Sequence, residues 1–368
     1  MTTPKPIILV TGAFGFLGLH VCRRLVGDGF RVRVIDLETY AAVNLPEVLG
    51  MCVRHDGGDV ADASTWDYVS ECVAKDGQNP VAVIHLAAET HVDRSLGRVP
   101  TTLAVDEREA YEMDALERFW RTNAVGTARV ARWCAENHVR MVHLSTDEVL
   151  GDRWVEPSID GGGRIRPGYT LEADTSSRAF PPGSPYAASK VAAEAAVLAE
   201  VRCFGLDAVI VRPSNLYGPG QARDKLIPVA IRKLVANENV PLYGDGRHVR
   251  EWVHVRDVAR LVVDLAVSPG WRAISMLPTS PACGVVHAGG GRTNRIDNRH
   301  LAYLLASRCV ERGLRPSGGD FCSRVPDRPG HDRTYALDSS GTPNWTSLAG
   351  IADKDTLDEL IDAYGGAG

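Results

Sequence analysis

The chain has 368 residues and a formal net charge of −5; 44% of it is hydrophobic and 24% charged, the balance of an ordinary soluble globular protein. Length alone predicts roughly two domains. A protein that binds by neutralising nucleic-acid phosphates is more often basic, and no apolar run reaches the ~18 residues of a membrane span. The start, MTTPKPIILVTG, lacks the layout of a signal peptide. The eight cysteines form no C-x-x-C pair. Neither a zinc framework nor a redox dithiol is expected, no metal is called for, and a reducing cytoplasm is the expected location.

Strand and helix signals alternate along the first half. Ile7–Val10 is an apolar strand candidate, followed by a Gly-rich turn and a helical stretch, Leu17–Val26. Further strands are expected at Arg31–Ile35, Ala82–Leu86, Met141–Leu144, Ala208–Val211 and Val253–Val255, with a long helical pattern over Ala115–Glu136. Such alternation predicts an α/β fold, a doubly wound parallel sheet covered on both faces. From Pro213 to Gly246 turn signals multiply, and after Ser268 the alternation weakens. These features predict a dinucleotide-binding domain over 1–212 plus about 247–268. A smaller mixed α/β lobe is expected over about 213–246 plus 269–345, covering the ligand edge of the sheet, and a tail over 346–368. Gly97–Met113 and Pro157–Pro185 read as insertions.

Thr11-Gly12-Ala13-Phe14-Gly15-Phe16-Leu17-Gly18 joins the first strand to the first helix. Gly12 allows the sharp turn, Gly15 lets the backbone approach a pyrophosphate, and Gly18 permits close helix–strand packing, as in a Rossmann dinucleotide site. The helix N-terminus then offers free N–H groups to the phosphates. Asp36, at the end of the second strand, can accept hydrogen bonds from ribose hydroxyls and would repel the extra phosphate of NADP, which favours NAD. Arg31 and Arg33 would soften that preference. Asp59 and Val60 fall where a third strand would end, near adenine. Leu86, Ala87 and Ala88 place small residues along the cofactor's path.

Tyr186 and Lys190 are four apart on an alanine-rich helix, so both can reach one ligand. A neighbouring ammonium and a cationic nicotinamide would favour the phenolate, making Tyr186 a base for a hydroxyl proton. Ser145-Thr146-Asp147-Glu148 leaves a buried strand at the edge where ligands of open parallel sheets bind. Two adjacent carboxyls outside a helix point in different directions, so they can act as acid and base on two atoms of one substrate.

At these motifs the chain resembles the extended short-chain dehydrogenase/reductase (NAD-dependent epimerase/dehydratase) family, and within it the dTDP-glucose 4,6-dehydratases. Its most specific segments are Leu86-Ala87-Ala88-Glu89-Thr90-His91-Val92-Asp93-Arg94-Ser95, Ser145-Thr146-Asp147-Glu148, Lys225-Leu226-Ile227-Pro228 and Asp327-Arg328-Pro329-Gly330-His331-Asp332. The resemblance implies a Rossmann-type fold that holds NAD and a nucleotide sugar, with hydride leaving the sugar and returning to it. Tyr186, assisted by Lys190, would take the 4-hydroxyl proton while Thr146 holds that hydroxyl. Glu148 would remove the carbon-5 hydrogen and Asp147 would protonate the departing 6-hydroxyl. The cofactor set implied is Gly12, Gly15, Phe16, Leu17, Gly18, Asp36, Leu37, Thr39, Asp59, Val60, Leu86, Ala87, Ala88, Thr122, Ser145, Tyr186 and Lys190. For substrate it is Thr90, Thr146, Asn215, Lys225, Leu226, Pro241, Tyr243, Arg250, Asn294, Arg328 and His331. A homodimer through helices that include the Tyr–Lys helix is also implied. One departure stands out: the family usually has Tyr two residues after the Glu, where this chain has Leu150. A UDP-sugar 4-epimerase or decarboxylase of the same family, or a non-catalytic NAD-sensing protein, remain the alternative readings.

Overall fold

The computed structural model describes residues 6–38, 44–52, 54–97, 114, 116–155, 158–159, 165–166, 169–170, 172–173, 182–268, 276–277, 280–342 and 344–366. The strands in chain order begin with β1 (Ile7–Thr11), β2 (Arg31–Ile35), β3 (Arg54–His55), β4 (Ala82–His85) and β5 (Arg140–Leu144). Two short antiparallel ribbons follow in and just before the Pro157–Pro185 region: β6 (Trp154–Val155) with β9 (Tyr169–Thr170), and β7 (Ser158–Ile159) with β8 (Ile165–Arg166). Then come β10 (Ala208–Pro213), β11 (Asn215–Tyr217), β12 (Val240–Tyr243), β13 (Val249–His254), β14 (Met276–Leu277), β15 (Ser280–Ala288), β16 (Arg295–Asp297) and β17 (Cys322–Val325). The insertion at 98–113 lies outside the described residues.

The large sheet runs β14-β15-β10-β5-β4-β1-β2-β3. Every pairing in it is parallel except that of β14, an antiparallel edge. A parallel sheet is buried on both faces, so its strands are mostly apolar; all five residues of β1 are buried. Successive side chains point to opposite faces. Ile8 and Val10 join α1 (Phe16–Gly27) and the helix Val255–Val267 in one core, and Leu9 joins the other with Trp66, Val130, Trp133, Val197 and Val201.

Three expectations shift. Val249–His254 is a strand, but it belongs to a separate sheet, β11-β13-β16, and Val255 opens the helix Val255–Val267. Ser280–Ala288 pairs in parallel with β10 and is a strand of the large sheet, although it falls in the stretch read as part of the lobe. Pro281 and Gly284 interrupt its pattern, and both residue types weaken a strand signal. Inside the helical stretch, Trp120–Gly126 is a π-helical turn before Thr127–Glu136 resumes α-helix.

A third core fills the smaller lobe. Helices Leu226–Val235, Asn298–Glu311 and Lys354–Tyr364 meet there around Tyr217, Ile231, Trp252, Leu305 and Leu360. Thus the C-terminal stretch, read as a tail, carries a docked helix. Among the described residues no helix is long and apolar enough to cross a membrane.

Candidate active site

One cavity of about 1150 Å³ follows the carboxyl ends of the strands and continues under the smaller lobe. Its first part is a backbone cradle. Gly12 has φ +71°, and a Cβ there would lie 2.5 Å from the Ala87 nitrogen; at Gly18 it would lie 2.4 Å from the Gly12 carbonyl. No side chain fits at either place, so the turn comes close to the Leu86–Ala87 backbone that follows β4, and the start of α1 packs on the turn itself. No side chain caps α1 and no acid stands in its first turn, which leaves its N–H groups and positive dipole end facing the cavity. Asp36 accepts from the Phe14 and Leu37 amides, both at 2.7 Å, while burial raises its carboxyl to about 6. Arg33 does not soften the NAD preference as expected. It is buried and paired with Asp56 at 3.0 Å and Asp76 at 2.9 Å.

The far wall of the cradle is fixed by side chains. Thr11 Oγ1, His85 and Thr127 Oγ1 form a buried chain of hydrogen bonds at 2.7 and 2.9 Å. Asn123, on the π-helical turn, holds both backbone groups of Glu89 and donates to Ser189 Oγ at 2.9 Å. Single π-helical turns recur at functional sites, and this one brings Thr122 to the cavity wall. Glycine space, ribose-side carboxylate and free helix end together fit NAD.

The chemistry-bearing residues sit where β5 ends. Thr146 caps the 3-10 turn Asp147–Leu150: its hydroxyl accepts from the Glu148 amide at 3.3 Å and donates to Asp147 Oδ1 at 3.2 Å. Asp147 Oδ2 is buried with no hydrogen-bond partner among the described residues. Burial, reinforced by the adjacent Glu148, pushes the Asp147 carboxyl well above the usual carboxylate range. Burial also raises Glu148, to about 7, against the pull of Arg328. Leu150 is packed among Val149, Ala173 and Leu337.

Tyr186 lies in the first turn of the helix Pro185–Phe204, whose Ser184 cap accepts from the Ala187 amide at 3.1 Å. Lys190 stands behind the cavity wall, its Nζ donating to the Leu144 carbonyl at 2.6 Å, and burial lowers its ammonium to about 8. The expected ease of forming the phenolate is not found in the protein alone. Burial, and next the charge of Glu148, raise the Tyr186 phenol despite its hydrogen bond with Thr146.

The end of the cavity under the smaller lobe is built differently. Lys225, Arg250, Arg328 and His331 line it with Asn215, Pro241 and Tyr243. Arg250 stacks over Tyr335 at 4.5 Å and donates to the carbonyls of Val249 and Asp332. Asp327 accepts from His331 at 2.6 Å and faces His248 at 3.3 Å, with the two rings stacked at 3.7 Å. These three residues bring possible metal-ligand atoms within 4.8 Å of one another, but both carboxylate oxygens already face imidazoles. Across the mouth, His91 meets Asp224 at 3.0 Å and Tyr243 donates to Asp93 at 3.2 Å.

The cavity brings together the sequence-derived cofactor and substrate residues with three exceptions. Thr39 lies outside the described residues. Lys190 is one layer back. Asn294 does not face the substrate space: its amide donates to the Gly290 carbonyl at 2.8 Å and accepts from the Ile351 amide at 2.9 Å. Sequence reasoning missed Asn298 and Trp252 on the wall. Asn298 Oδ1 and Trp252 Nε1 are buried without partners among the described residues, as are Asn215 Oδ1 and Arg328 Nε. Asp297 caps the helix Asn298–Glu311, accepting from the His300 amide at 2.7 Å, and no motif in the sequence points Asn298 toward a ligand.

This cradle, the Tyr–Lys helix and the fold define an NAD-dependent enzyme, and the chain belongs to the NAD dependent epimerase/dehydratase family, matching it over residues 8–106 and 99–269. It is 34% identical to the dTDP-glucose 4,6-dehydratase of Streptomyces niveus over 369 residues, covering 97% of this chain and 92% of that one. With the dTDP-glucose 4,6-dehydratase of Streptomyces griseus it shares 37% over 344 residues, 90% of this chain and 86% of the other. Among solved structures it is similar to DesIV (dTDP-glucose 4,6-dehydratase) from Streptomyces venezuelae with NAD and TYD bound. The TM-score is 0.73 at 31% identity, over 98% and 97% of the two chains. UDP-glucose 4-epimerase of Thermus thermophilus, at 22% identity and TM-score 0.72, shares the fold.

Proposed function

We propose that this protein is a nucleotide-sugar 4,6-dehydratase that converts dTDP-glucose to dTDP-4-keto-6-deoxyglucose. The observation that carries this reading is the pair of carboxyls on one capped turn, Asp147 and Glu148, both raised by burial and both on the cavity wall beside Tyr186. Dehydration needs one carboxyl protonated and one ionised near neutral pH, and two environments that separate such a pair assign those roles. Asp147, held high, donates the proton to the departing 6-hydroxyl. Glu148, near 7, takes the carbon-5 proton once the adjacent carbon is a ketone. Bound NAD supplies the hydride acceptor and donor, and its cationic ring favours the Tyr186 phenolate that burial alone opposes. Thr146 holds the 4-hydroxyl against Tyr186, and Lys190 stands behind as the ammonium. The smaller lobe, with Lys225, Arg328 and His331, grips the nucleoside diphosphate.

The protein acts in this reading as a cytoplasmic homodimer. Its eight cysteines form no disulfide among the described residues, as in a reducing compartment. Leu116, Trp120 and Val125 are exposed on the stretch that packs beside the Tyr–Lys helix, an apolar strip that a second copy would cover. The decisive experiment is incubation with dTDP-glucose and mass readout. A product lighter by one water without net NADH is expected; unchanged sugar, or an isomer of equal mass as an epimerase would give, rejects the proposal.

A further inference from the structure

The Tyr186–Lys190 spacing continues for one more helical turn. Glu194 lies four residues beyond Lys190 on the same helix, so the three side chains share a face. Its side chain is 9% exposed, and both its oxygens are engaged. Oε1 accepts from Ser145 Oγ at 2.5 Å and from Arg212 Nε at 2.9 Å; Oε2 accepts from Arg212 Nη2 at 2.6 Å. Arg212 comes from β10 and Ser145 follows the end of β5. One carboxylate therefore ties the helix to two adjacent strands directly below the acid-bearing turn.

A buried ion pair returns little net stability against an apolar pair of similar size. Its place therefore calls for another reason. Ser145 precedes Thr146, whose hydroxyl caps the turn of Asp147 and Glu148. Lys190 is buried, and Glu194 is the group whose charge opposes the loss of its proton. Other titratable groups surround the pair. His85 on β4 and His143 on β5 face Lys190, and burial lowers both imidazoles. Cys283 and His287 on β15 face Glu194 and Arg212; burial raises the thiol to about 12 and lowers the imidazole to about 4. These four are uncharged near neutral pH, which leaves Glu194, Arg212 and Lys190 as the charges of this cluster, with Asp207, paired with Arg140, acting on Cys283 from its edge.

We propose that Glu194, fixed by Arg212, is a positioning residue of this active site, holding the Ser145 strand end beneath the acid-bearing turn and serving as the counter-charge that keeps Lys190 an ammonium. The proposal deepens the dehydratase reading and rests on it for its effect on turnover, but the state of Lys190 can be followed without substrate. Lys190 is one of six lysines in the chain, so 13Cε-lysine NMR of the NAD-bound protein follows its titration, assigned with Lys190→Arg. Glu194→Gln is expected to move the Lys190 midpoint down by about one pH unit, and Glu194→Asp to restore it. In turnover of dTDP-glucose, Glu194→Gln is expected to lower kcat about tenfold, change KM less than about threefold, and shift the alkaline limb down with the NMR midpoint. Should Arg212, left unpaired, unfold that variant, Glu194→Gln with Arg212→Met removes both charges and carries the same expectation. Ser145→Ala, which leaves the ion pair intact, is expected to lower kcat without moving the limb. A folded charge-free variant with an unchanged Lys190 midpoint overturns the proposal whatever the substrate. A wild type inert toward dTDP-glucose overturns the dehydratase reading alone, because the NMR titration still reports on Glu194.

Discussion

The two ends of the cavity recognise their ligands by different means. At the cofactor end the wall is mostly backbone and small side chains: Gly12, Gly15, Gly18, Leu86, Ala87 and Ala88. Shape does the selecting there, and a methyl added at Gly12 or Gly18 meets backbone at 2.5 Å or less. At the nucleotide end the wall is side chain, drawn from β13, the helix starts at Lys225 and Asn298, and the 326–331 loop. Several of its polar atoms, such as Arg328 Nε and Asn298 Oδ1, lack partners among the described residues. A cradle made of backbone fails altogether when one residue grows, whereas a wall of separate side chains loses affinity contact by contact.

The sharpest test of that contrast is Gly12→Ala. The residue sits at φ +71° with its added Cβ against the Leu86–Ala87 backbone, so the purified protein is expected to carry no NAD, measured by release on denaturation, and to show no turnover. Next comes Glu148→Gln, which keeps the cradle and removes the carboxylate proposed as the base. A fall in dehydration of about 10²–10⁴-fold is expected, with NAD content unchanged; full turnover would show that another group takes the carbon-5 proton. Arg328→Ala probes the side-chain wall. Loss of one charge-assisted hydrogen bond, about 1.5–3 kcal/mol, is expected to raise KM for dTDP-glucose roughly 10- to 100-fold while NAD stays bound.

Stability against pH offers a smaller effect of defined sign. The Glu148 carboxyl rises from its ordinary 4.5 to about 7 on folding. Below about pH 4.5 both folded and unfolded chains hold that proton; between 4.5 and 7 only the folded chain does, so folding stability falls as pH rises through this window. Glu148→Gln carries no such penalty and is expected to melt a few degrees higher than wild type at pH 8, with the gap closing near pH 4.5. A gap that widened toward acid pH would reverse the assignment. The smallest effect on catalysis is expected at Asn294→Ala, which cuts two buried internal hydrogen bonds. It should lower stability by about 1–3 kcal/mol, followed by thermal melting, and leave KM within about twofold.

What could be read from the sequence follows the same division. The Gly12–Gly18 turn, Asp36 and the Tyr186–Lys190 spacing are local patterns in which residue type and position settle the geometry. The strand Ser280–Ala288 was hidden because Pro281 and Gly284 break its apolar run, while pairing with β10 over six positions overrides local preference. Asn294 and Asn298 stand four apart, and only the long-range bond to the Ile351 amide decides which one turns inward. Lys190 looked like a partner that would ease Tyr186 toward the phenolate; the depth of burial, which no spacing reveals, sets the tyrosine's state.

Asp36 has a consequence for anyone seeking to re-engineer this enzyme for a phosphorylated cofactor. Its carboxylate not only stands on the ribose side but also pins the Phe14 and Leu37 amides. Exchanging it for a neutral or basic residue would admit the extra phosphate and, in the same stroke, unfasten the loop that has to receive it.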